Sequence, residues 1–148
     1  MKHAVHSATA WSYRHPAGRT ASGTVGALSV GGALRLGGRA DPMFWLGALG
    51  PDVALVYGRG RILRHQQLHP RAVRLYNALH SLPGPAVALA AGVLTRRRPL
   101  LVVGLAWLAH ITVDRAQAYG LRGSDGYPWA YGYPPHDPSP AVPAPTEP

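Results

Sequence analysis

Apolar positions in this chain are bunched into three stretches, each broken by a few polar residues. The first, MFWLGALGPDVALVY at 43–57, is apolar apart from Pro51 and Asp52. Proline lacks an N–H, so Pro51 should kink the segment or start a new turn, with Asp52 beside the opened hydrogen-bond ladder. The second, AVRLYNALHSLPGPAVALAAGVL at 72–94, is divided by Pro83-Gly84-Pro85 into a half-polar helix and an apolar one. The third, LLVVGLAWLAHITVDRAQAYGLR at 100–122, begins apolar and then carries His110, Asp114 and Arg115. The turn Thr95-Arg96-Arg97-Arg98-Pro99 between the last two is so short that their helices must pack as an antiparallel pair. Proline suits a first helical turn, so the last helix is expected to begin at Pro99 or Leu100.

Upstream, residues 22–38 hold six glycines among small apolar residues, which predicts a short or loosely packed helix. Residues 1–21 lack periodicity and are expected to be flexible. Residues 123–148 are rich in Tyr, Gly and Pro and read as a disordered tail. The helical domain is therefore placed at 22–122. Spanning about 30 Å of hydrocarbon takes roughly 20 apolar residues. Residues 99–113 provide about 22 Å as helix, and the other two stretches are equally marginal. Three such segments in 148 residues would overfill a soluble core. The expected fold is all-α, a polytopic (multi-pass) cell-membrane bundle of three or four short helices in hairpins with flexible termini.

Charge sharpens this picture. Only 14% of residues are charged, against roughly 25% in soluble domains. Lys and Arg number 15 against 6 acidic residues, and the chain has no Cys, which excludes disulfides and thiolate metal sites. The N-terminus has no apolar core of a signal peptide. Arg59, Arg61 and Arg64 in one loop, and Arg96, Arg97 and Arg98 in another, flank apolar ends. That placement suits anionic lipid headgroups and disfavours nucleic acid, which wants charge on one face with exposed aromatics. The acidic residues are the more telling set. No carboxylate lies between Asp52 and Asp114, so two of six sit at apolar segments while the basic loops have no acidic partner nearby.

Four residues along a helix is about 400° of rotation and about 6 Å of rise, so His110 and Asp114 share a face. The same spacing puts Tyr76 and His80 on one face, with Asn77 flanking. Two readings follow for Asp52, His80, His110 and Asp114. As an interhelical lock, His110 would bond Asp52 or Asn77, and Asp114 would bond Arg115 or Arg74, fixing how helices pack. As ligands, two imidazoles and two carboxylates suit a divalent ion such as Zn²⁺, Mn²⁺ or Fe²⁺, with Tyr76, Asn77 and Arg115 in support. Such an ion could activate water for hydrolysis. His-x-x-x-Asp is a weak signal by itself, so the preferred reading is a membrane protein without enzymatic activity, the cluster being mainly a lock. The metal-dependent membrane hydrolase is the alternative.

Pro51-Asp52, YNALH at 76–80 and WLAHITVDRAQAYGLR at 107–122 together resemble the small bacterial integral-membrane family catalogued as domain of unknown function 4260. Its pattern runs PD, YN-x-x-H, then W-x-A-H-I-x-x-D-R-x-x-x-Y-G-L-K. The resemblance covers about residues 43–122 and implies a membrane location and a helical fold, with no reaction. The basic loop between Tyr57 and Tyr76 is longer here, Arg122 replaces Lys, and the first 40 residues match poorly, leaving the number of N-terminal helices open. A weaker likeness, in residue types only, is to bacterial membrane-bound metal-dependent hydrolases.

Overall fold

The computed structural model of the chain describes residues 15–58, 67–124 and 126–127, and every regular element within them is helical. Helix α1 spans Pro16–Gly37, α2 Pro42–Leu49 and α3 Val53–Tyr57. A single 3₁₀ turn, Gly50–Asp52, joins α2 to α3. Helix α4 spans Pro70–Leu79, α5 Pro83–Leu94 and α6 Arg98–Ala116. Proline occupies the first turn of α1, α2, α4, α5 and α6, where its missing N–H leaves no bond unmade. Asp41 caps α2, its Oδ1 accepting from Met43 N at 2.8 Å.

The break at Pro51 falls where the proline predicts it. Asp52 closes the 3₁₀ turn and is the residue preceding α3, beside a locally interrupted ladder. The division at 83–85 also holds, since α4 ends at Leu79 and α5 starts at Pro83. Helix α6 starts at Arg98, one residue before the expected position.

The N-terminal expectation needs correction. Residues 16–21 are not a flexible lead but the first turns of α1, a helix of 22 residues. Nor is that helix loosely packed. It runs antiparallel to α6: Arg19 Nε donates to Ala116 O at 2.8 Å at one end, and Arg98 Nη2 donates to Gly37 O at 3.4 Å at the other. Glycine made the segment a weak helix former by propensity, yet it is what allows the contact. A Cβ on Gly26 would stand 3.1 Å from Thr112 Oγ1. Residues 1–14, and all of the tail beyond 127, lie outside the described residues.

Helix α6 is the axis of the molecule, with α1, α2 and α5 packed around it. One apolar cluster, Ala33, Phe44, Val102 and Ala106, joins α1 and α2 to α6. A second, Ala54, Leu68, Ala72, Val73 and Tyr76, joins α3 to α4. Helix α4 is fastened to α6 by polar contacts instead: Trp107 Nε1 donates to Leu79 O at 2.6 Å. Among the described residues, α6 alone is long and apolar enough to cross a membrane, and only 33% of its apolar window is buried. Large side chains elsewhere face outward, Leu28 at 73% exposure, Val87 at 69% and Leu94 at 83%.

Candidate metal centre

The four residues singled out from the sequence converge. His110 and Asp114 project from the last two turns of α6, His80 caps the end of α4, and Asp52 ends the 3₁₀ turn. His110 Nε2 and His80 Nε2 lie 3.2 Å apart. Asp114 Oδ2 is 3.6 Å from each of these nitrogens. Asp52 Oδ1 is 3.7 Å from each. Donor atoms about 2.1 Å from a common ion and roughly 90–109° apart stand about 3.0–3.4 Å from one another. Asp52, His80 and His110 each bring one donor atom within 4.8 Å of the others, looser than that spacing, and Asp114 stands beside both imidazoles without joining that group of three.

The backbone decides what the imidazoles present to each other. His80 Nδ1 donates to Tyr76 O at 2.9 Å, and His110 Nδ1 donates to Ala48 O at 2.8 Å. A carbonyl can only accept, so in both neutral rings the proton is on Nδ1 and Nε2 carries a bare lone pair. Two lone pairs therefore face each other, with Asp52 Oδ1 at 3.7 Å and Asp114 Oδ2 at 3.6 Å from both nitrogens, an arrangement that repels itself unless a cation lies among them. A proton on one imidazole is the minimal cation. Burial opposes it at His80, pushing that ring below the usual histidine range, with the bond to Tyr76 O partly offsetting this. The His80 side chain is 3% exposed, that of His110 10%, and those of Asp114 and Asp52 26% and 45%. The nitrogens are thus enclosed while the carboxylates reach toward the surface.

The supporting residues divide. Tyr76 stacks on the His80 ring at 3.8 Å between centroids, holding its plane. Asn77 does not flank the centre. Its amide pairs with the backbone of Arg122, donating to the carbonyl at 2.8 Å and accepting from the N–H at 2.8 Å. The lock partnership of Asn77 with His110 is therefore not formed. Arg115 lines, with Tyr76, His80, Asp114 and Tyr119, a crevice of about 10 Å³, room for one water-sized group. Arg96, Arg97 and Arg98 are exposed at the α5–α6 turn, whereas Arg59, Arg61 and Arg64 lie outside the described residues.

Sequence reasoning missed two residues here. The Arg122 guanidinium sits 4.9 Å over the Tyr76 ring, the ring that stacks on His80. Tyr119 lines the crevice. Both follow the Asp-Arg pair on α6 closely enough that the motif's extent was the available signal; their orientation was not.

Fold and site define a small all-helical protein with a His/Asp cluster on the flank of α6, the one helix among the described residues long and apolar enough to cross a membrane. The chain belongs to the family described as a domain of unknown function (DUF4260), whose model matches residues 43–130. The match takes in all four residues of the cluster and begins after α1. No curated protein and no solved structure matches the chain.

Proposed function

We propose that this is a multi-pass membrane protein that binds one divalent transition-metal ion through Asp52, His80, His110 and Asp114 and uses it in hydrolysis. The observation that carries the reading is the pair of facing Nε2 atoms, 3.2 Å apart, whose Nδ1 protons are committed to backbone carbonyls. Hydrogen bonds of this kind behind a ligating histidine fix its tautomer and orientation. Two nitrogen and two oxygen donors favour Zn²⁺, Mn²⁺ or Fe²⁺ over Mg²⁺ or Ca²⁺. Bound there, such an ion supplies a Lewis acid that brings the pKa of a coordinated water to near 7. The crevice beside His80 and Asp114 has room for that water. Helix α6 crosses the bilayer with α1 antiparallel to it, and the Arg59–Arg64 and Arg96–Arg98 groups meet anionic headgroups.

Packing is the second reading, favoured by the His110–Ala48 bond that ties α6 to α2. It is the lesser one, because Asn77 and Trp107 already tie distant segments without the cluster. The test is elemental analysis by mass spectrometry of the detergent-purified protein and of His110→Ala. Near-stoichiometric Zn, Mn or Fe, lost in the variant, is the expected result. Absence of metal from both, with the variant merely less stable, overturns the metal reading and leaves the lock.

A further inference from the structure

A second, larger cavity reaches the same cluster from the neighbouring face of α6. It is a recess open to the surface, with a volume of about 210 Å³. Val30 of α1, Phe44 and Ala48 of α2, and Ala106, Ala109 and Val113 of α6 form its walls, and His110 and Asp114 form its polar end. Residues 106, 109, 110 and 113 make one stripe along α6. Residues 111, 114 and 115, which line the water-sized crevice, make the next. His110 and Asp114 stand at the seam between stripes, so the centre has an apolar chamber on one flank and a small polar one on the other.

Resting on the metal-centre reading, we infer that the centre acts on an amphiphile: an alkyl chain fills the cavity between α1, α2 and α6 and its polar linkage meets the ion at His110 and Asp114. Several observations select this occupant. The six other wall residues offer no polar side chain, so the body of the ligand is hydrocarbon. The polar end of the cavity is the cluster itself, so the ligand must carry a polar group at the end of that hydrocarbon. Val113 on the wall is 37% exposed, and Leu28, Trp45 and Leu49 of the flanking helices are exposed as well, which gives an apolar route inward from a bilayer. The ion selects the head. A phosphate ester offers it oxygen lone pairs at the polar end of the cavity, and a quaternary ammonium offers none.

The experiment photolyses dodecyl phosphate bearing a terminal diazirine with the full-length protein in nanodiscs of zwitterionic lipid, and maps the labelled peptides. Metal content is measured on the same samples. Saturable label on the Phe44–Ala48 and Ala106–Ala109 peptides is expected, displaced by unlabelled dodecyl phosphate and neither by inorganic phosphate nor by dodecyltrimethylammonium. In Val30→Trp, which fills the chamber from α1, saturable labelling should fall about tenfold, the equivalent of losing roughly two buried methylenes. Metal content in that variant should not change. Label spread without saturation over outward residues such as Leu28, Val87 and Leu94 overturns the inference, and the unaltered protein decides this even where the variant misfolds. Saturable label in a protein without metal would sustain the chamber and remove the centre. Metal with unsaturable label would do the reverse.

Discussion

His80 and His110 meet through the nitrogens that their backbone partners leave unprotonated, and a pair of substitutions separates this centre from the bonds that hold the fold. Asn77→Ala removes two hydrogen bonds to Arg122 and should cost about 1–3 kcal/mol in denaturant unfolding, with metal content unchanged. Asp114→Asn is nearly isosteric and makes the opposite pattern: metal is lost while stability of the metal-free protein stays within about 1 kcal/mol. Loss of stability and metal together in Asp114→Asn would favour the lock. At this scale the sequence was legible where spacing alone determines geometry. His110 and Asp114 are four apart on one helix, and Tyr76 and His80 likewise, and both pairs share a face. That Asn77 turns away to Arg122 was not legible, because the partners are 45 residues apart and either end of the amide suits many backbone groups. The carbonyls of Tyr76 and Ala48, which set the imidazole tautomers, are backbone atoms that no residue pattern advertises.

Among the elements, α6 organises its neighbours through glycine. A Cβ on Gly47 would overlap the Val103 carbonyl and stand 2.8 Å from Ala106 Cβ and 2.9 Å from Trp107 N, so α2 lies directly on the backbone of α6. Gly47→Val cannot be relieved by a rotamer change and should cost about 3 kcal/mol or more in thermal unfolding. Gly31, on α1, has nothing within 4 Å of its would-be Cβ, so Gly31→Ala should stabilise by about 0.5–1 kcal/mol. Equal effects at the two positions would mean that α2 does not rest on α6. The apolar runs made α2, α5 and α6 readable as helices, and Pro51 and Pro83 made the breaks readable. Helix α1 was underestimated because propensity scales charge glycine for its freedom and cannot credit the close approach it allows.

For the whole molecule the proposed crossing of the bilayer by α1 and α6 can be tested directly. The chain has no Cys, so single introduced cysteines report unambiguously to a membrane-impermeant maleimide. With α1 and α6 spanning antiparallel, cysteines at Thr20 and Gln117 should label from one side and those at Arg39 and Thr95 from the other. Labelling of all four from one side would sink the spanning arrangement. Hydropathy could not resolve this alone, since among the described residues only α6 passes by length and composition, α1 has the length without the composition, and α2, α3 and α5 are each too short. A different consequence follows from the way α4 is held. It shares an apolar cluster with α3 but meets α6 through Trp107 and His110, and the segment after α6 through the Asn77–Arg122 pair, contacts whose loss exposes little hydrocarbon. Such an element opens before the rest of a fold does. An ion bridging His80 to α6 would oppose that opening by about 4 kcal/mol at a thousandfold excess over its dissociation constant. Cellular proteases attack opened segments, so the survival time of the protein would track the supply of the ion. Scarcity would then be answered by clearance of the idle protein.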